Sequence, residues 1–265
     1  MDDLPRADLD DLRRARRLLE QPGLAIRIAD RVGMPVEALL RRLPDGAQRV
    51  IAGATRKALE AALDVAVRSL DAPRGGAATS DRFHRGVAMA TGAIGGAVGL
   101  AGLPLELPIS TAVMLRAIAG HARAQGEDLS DLTSRLECLA VFALGSRSAS
   151  DDAADSAYFA VRAALASAVS KAAEYAAQRG VAQAVADRSA PAIAQLLARI
   201  AQRFGVAVAD KAAAQLVPIV GAAGGAALNA IFLSHYQDVA WAHFCVRRLE
   251  RAHGAEAVRR AYGGA

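Results

Sequence analysis

Aromatic residues make up only 4% of this 265-residue chain, only two residues are cysteines, and runs of alternating β-branched residues are absent. A sheet would have little to build from, while an alanine-dominated composition favours helix, so the chain reads as all-α with no significant sheet. Cys138 and Cys245 lie far apart in apolar helical contexts. That excludes a disulfide scaffold and predicts two buried free thiols. The net charge is +5, yet there is no long Lys/Arg run, no aromatic interleaving and no zinc-finger signature, so nucleic acid is not an expected partner. Neither G-x-S-x-G, H-E-x-x-H nor a phosphate-binding Gly-Lys-Ser/Thr ending occurs. His84, His121, His243 and His253 form no helical ligand pair, so no metal and no cofactor is expected. The opening MDDLPRADLDDLRRARR has no apolar core of a secretory signal, so the bulk of the chain is expected in the cytoplasm.

What is present is glycine inside long uncharged runs. Gly86–Leu105 reads GVAMATGAIGGAVGLAGLPL, and Ala212–Leu233 reads AAAQLVPIVGAAGGAALNAIFL. Each is about the length a helix needs to cross bilayer hydrocarbon. A helical glycine costs roughly 1 kcal/mol relative to alanine, so Gly92, Gly95, Gly96 and Gly99 need a compensating role. Small-xxx-small spacings recur here and at Gly221, Gly224 and Gly225, which lets two helix backbones approach closely. Three readings stay open: two glycine-rich apolar helices packed together in a multi-helix bundle, insertion into membrane lipid, or glycine loops that accommodate a ligand. The mean hydropathy of +0.20 fits a peripheral protein as well as a two-span one.

The remaining pattern is a succession of helices. Leu9–Glu20, Leu24–Val32, Val36–Arg42 and Val50–Leu70 come first, followed by the linker DAPRGGAATS over 71–80. Pro104 and Pro108 are expected to stop or kink the helix leaving the first glycine stretch, with Ile109–Gln125 resuming. Asp128 or Ser130 is expected to cap the next helix, which ends at Gly145, and Ser146–Asp155 is a polar connection. Asp131 and Arg135, at i,i+4, read as a solvated face. Tyr158, Val161, Leu165 and Val169 begin a long helix, Ile193 to Phe204 marks another, and Val239–Arg251 is helical before a short basic tail. This organisation divides into an N-terminal helical segment (1–70), a linker (71–80) and a helical core (81–265).

The runs Leu103–Gly145 and Leu216–Tyr262, together with Gly33–Leu63, resemble the EcsC protein family. The resemblance covers most of the chain from about Pro22 and rests on patterns, with no catalytic signature. It implies a non-enzymatic accessory role at the cytoplasmic face of the cell membrane, with membrane lipid and an ABC-type transporter as partners. Glu106 stands where that pattern leads one to expect an aspartate.

Several polar residues lie in or beside these runs. Glu106, Arg116 and Asn229 are expected to share a structural or ligand-binding network, because polar groups in apolar helices need partners. Arg135 and Glu137 lie nearby. An enzyme reading, a lipid-modifying hydrolase, would use His235 and Asp238 at i,i+3 as an oriented base. A third reading is a soluble helical module holding a lipid or other apolar ligand. Arg82 and Arg85 before the first glycine stretch, and Lys211, Arg247 and Arg248 around the second, are expected to face anionic headgroups.

Overall fold

A computed structural model describes residues 4–20, 24–41, 43–70, 99–145, 157–187, 189–216 and 221–264. They form α1 (Arg6–Glu20), α2 (Leu24–Val32), α3 (Val36–Leu40) and α4 (Ala47–Ser69). A 3-10 turn at Gly99–Gly102 then leads into α5 (Leu103–Ala124) and α6 (Leu132–Leu144). The remaining helices are α7 (Ala157–Arg179), α8 (Val181–Ala186), α9 (Pro191–Gln215), α10 (Gly221–His253) and α11 (Ala255–Gly264). No strand occurs among the described residues. Gly92, Gly95, Gly96, the linker 71–80, the connection 146–155, Arg82 and Arg85 lie outside them.

Apolar periodicity accounts for the packing. In α4, Ile51, Ala54, Ala58, Leu59, Ala62, Leu63 and Ala66 recur every three or four residues and are all buried. Small side chains on this face let α4 pack closely along α5, and α9 and α10 complete one main core. Both cysteines are buried and free. A smaller core joins the chain's two ends: Leu12 and Ala15 of α1 meet Val246 and Leu249 of α10 and Tyr262 of α11.

Several expectations are corrected. The run Ala212–Leu233 is two helices: α9 ends at Gln215 and α10 opens at Gly221. α5 continues through Pro108. Pro104 occupies its first turn, where no N–H is required. Pro108 removes only the bond to that same turn. The cap of α6 is Asp131, whose carboxylate accepts from the N–H groups of Thr133 and Ser134 at 3.2 and 3.3 Å. Arg135 is therefore on no solvated face. It is buried and donates to the Val67 carbonyl at 2.9 Å. The basic tail is α11, set off by Gly254 at φ 86°, and it buries Val258, Ala261 and Tyr262.

Contacts along the helices give the bundle two unlike ends. Arg123, late in α5, donates to the Leu70 carbonyl just after α4, while Val50, early in α4, shares a cleft with Leu100 before α5. The two helices therefore run parallel. α10 runs the same way, since Phe232 lies near the start of α5 and Arg247 reaches Glu127 beyond its end. α9 runs opposite, bringing its last turns to the first turns of α5.

Candidate functional site

The end where α9 finishes and α5 begins holds a buried ion pair. Glu106, in the first turns of α5, accepts a hydrogen bond from the Lys211 ammonium of α9. The Lys211 side chain is 0% exposed and that of Glu106 is 2% exposed. Gln215, one helical turn beyond Lys211, donates to the other carboxylate oxygen at 3.1 Å. The ring of Phe232 of α10 closes the site 5.2 Å from the ammonium. Burial pushes the Lys211 pKa down, against the pull of Glu106. Beside it, burial raises Asp210 to about 7, with Glu37 of α3 adding like-charge repulsion.

This site departs from the network expected from sequence. Glu106 is at its centre. Arg116 is ten residues along α5, about 15 Å of helical rise, and is half-buried away from the pair. Asn229 is buried one turn before Phe232 on α10, the helix that caps the site. Lys211, expected from the sequence to face anionic headgroups, lies inside. One signal could have found it: a lone Asp-Lys pair in the otherwise uncharged run GVAVADKAAAQLVPIV.

Apolar side chains surround this end on the outside. Among the described residues the exposed large hydrophobic side chains are Leu40, Val50, Leu105, Ile109 and Val206. Leu105 and Ile109 flank Glu106 on α5, and Val206 is one turn before Asp210. Leu40 follows Glu37 on α3, which packs on α9. Val50 lines a cleft of about 410 Å³ with Leu100 and Arg49.

The opposite end is ionic. Glu127 receives Arg247 through two bonds of 2.8 and 3.0 Å and Arg251 through a third. Burial raises its pKa, but the two guanidinium groups outweigh that and hold it below the usual carboxylate range. Arg248 pairs with Asp8 and Asp11 of α1 at 3.3 and 2.7 Å. Arg247 and Arg248 thus join helices at the end remote from Lys211 and do not bracket the glycine run. Nearby, the Tyr158 hydroxyl hydrogen-bonds with His243 Nδ1 at 2.9 Å, and His243 Nε2 faces Glu137 at 3.7 Å. Arg162 and Glu250 add a two-bond pair at 2.8 and 2.5 Å. Sequence reasoning missed this chain because its members come from three helices and share no motif.

His235 and Asp238 are engaged separately. His235 Nε2 donates to the Gly145 carbonyl, and burial lowers its pKa to about 4. Asp238 pairs with Arg27 of α2 at 2.9 Å. An imidazole committed through Nε2 and enclosed by protein is poorly placed to abstract a proton. Among the described residues no group of three His, Cys, Asp or Glu side chains could hold a metal ion.

The model of the EcsC protein family matches residues 8–249. No curated protein and no solved structure matches the chain.

Proposed function

The chain belongs to the EcsC protein family, and from that premise we propose that it is a non-enzymatic accessory protein of the cytoplasmic membrane face, linked to ABC-type transport or envelope homeostasis. It meets lipid through the end of the bundle that carries the Glu106–Lys211 pair. The observation that carries this reading is the gathering of Leu40, Val50, Leu105, Ile109 and Val206 at that one end, with Leu105 77% exposed. Exposed large apolar side chains concentrated towards one end favour burial against lipid or another protein.

Leu100–Ala124 and Pro191–Gln215 are both long and apolar enough to cross a bilayer. That alone is weak support, since a core helix passes the same test. The proposal is shallow insertion, because a spanning α9 would carry Arg199 and Arg203 near mid-bilayer. Charges at the patch rim are mixed: Arg41 and Arg49 stand with Glu37 and Asp45, all exposed. Attraction to lipid should therefore be mainly apolar and only weakly sensitive to salt.

Flotation with liposomes tests the proposal. The protein should rise with vesicles at low and high salt and be released by detergent. Quantitative recovery in the unbound fraction at physiological salt, with anionic as well as zwitterionic vesicles, would refute it.

A further inference from the structure

We propose that the Lys211–Glu106 bridge is a clasp that holds the apolar end of the bundle shut in water and parts when that end enters a bilayer; this rests on the membrane reading above. α5 and α9 are the two apolar helices; α5 packs mainly against α4 and α10, α9 mainly against α4, α7 and α6, and neither packs mainly against the other. Their side-chain connection comes at one end, where Lys211 and Gln215 both reach Glu106. Parting that connection leaves the contacts of α5 with α4 and α10, and those of α9 with α4, α7 and α6, in place.

The closed arrangement leaves bonding capacity unused. An ammonium has three donors, and Glu106 is the acceptor Lys211 has among the described residues. Gln215 is buried, and its Oε1 has no hydrogen-bond partner there. At a membrane interface water and lipid phosphate would supply both. A buried ion pair also stabilises a fold little better than apolar residues of the same volume, so the pair is better explained by a role as a switch than by stability.

Something must favour the open form differentially, since a ligand that binds two states equally shifts nothing. Leu105 and Ile109 meet that need. They flank Glu106, are 77% and 52% exposed, and gain apolar surroundings only if the first turns of α5 enter lipid.

The chain has three lysines, which makes the clasp readable directly. Lys57 and Lys171 are exposed and Lys211 is fully buried. Acetylation with acetic anhydride, followed site by site by mass spectrometry, should modify Lys57 and Lys171 in water and spare Lys211. Vesicles of phosphatidylcholine and phosphatidylglycerol should raise the Lys211 rate roughly tenfold or more, as expected when a minor state becomes dominant. The rates at Lys57 and Lys171 should change little. Glu106→Gln should raise Lys211 labelling without vesicles; if that variant does not fold, the wild-type comparison still decides.

A protein that floats with vesicles while Lys211 stays protected would overturn the clasp and leave the membrane reading standing. Equal labelling of Lys211 and Lys57 in water would also overturn it. No flotation at all would remove the membrane reading and the clasp with it.

Discussion

Gly145 lies so close to Tyr236 that a Cβ on it would stand 2.6 Å from the ring's Cε1 and 3.1 Å from His235 Nε2. The Tyr236 ring has nowhere to retreat. It is fully buried, with ring centres of Phe142, Phe232 and Phe204 at 5.2, 5.3 and 5.8 Å. Gly145→Ala should therefore destabilise the protein by about 1–3 kcal/mol, the usual cost of overpacking. Chemical denaturation measures this, and stability unchanged from wild type would mean the helix end relaxes freely. The backbone at Gly145 has φ −78°, so the demand for glycine comes from close approach alone.

The Glu106–Lys211 pair gives a stability signature distinct from its proposed switching. Lys211→Met leaves a buried carboxylate with only Gln215, and the single change should cost about 3–5 kcal/mol. Glu106→Leu combined with Lys211→Met removes both charges and should recover most of that loss, falling short of wild type only by the hydrogen bond that buried Gln215 gives up. Urea midpoints for the two variants check this. If the double change costs as much as the single one, the pair is not the buried, mutually dependent unit described.

Helix placement was largely legible in the sequence, and the failures have physical causes. The bounds of α2 follow directly from Pro22-Gly23 before it and the Gly33 turn after it, where φ is 72°. The run Ala212–Leu233 concealed a helix boundary because both flanking helices are apolar there, so polarity does not change across the join. Only Val217-Pro218 hinted at it, since a proline disfavours helix in the residue before it. α11 looked like a tail because Arg259 and Arg260 stand side by side in a short segment that ends in two glycines, although Val258, Ala261 and Tyr262 keep helical spacing.

The site was legible only in half. Glu106 stood out as an acid in an apolar run, but its partner Lys211 is 105 residues away. Choosing between Arg116 and Lys211 required knowing that α9 runs antiparallel to α5. Arg135 misled for a similar reason. Its i,i+4 relation to Asp131 is real, but Asp131 caps the helix while Arg135 turns inward to the end of α4.

Asp210 sets a pH dependence. Its folded-state pKa, about 7, lies above the ordinary value of 3.8, so the folded protein holds this proton more tightly than the unfolded chain does. The resulting stability is fully present below 3.8 and is lost as pH rises through 7. Asp210→Asn removes the proton and the dependence together. At alkaline pH the variant should exceed wild type, on the order of a few kcal/mol, and the gap should close on acidification towards pH 4. A stability difference that stays constant across this range would show that Asp210 is not held protonated by its surroundings.

Leu105 and Ile109 separate membrane contact from folding. Both are more than half exposed, so Leu105→Glu and Ile109→Glu should change stability by no more than about 0.5 kcal/mol, as surface substitutions generally do. In the membrane reading each places a carboxylate where apolar side chains meet lipid. Loss of about 2 kcal/mol of apolar burial per side chain corresponds to a roughly thirtyfold weaker vesicle affinity, before any cost of moving the new charge. Ala163→Glu, at an exposed position of α7 remote from this end, should leave affinity unchanged. Titration with vesicles of one fixed composition, monitored by flotation, compares the three. Equal binding by all of them would show that lipid, if it binds, does so elsewhere, and the first turns of α5 would lose their proposed role.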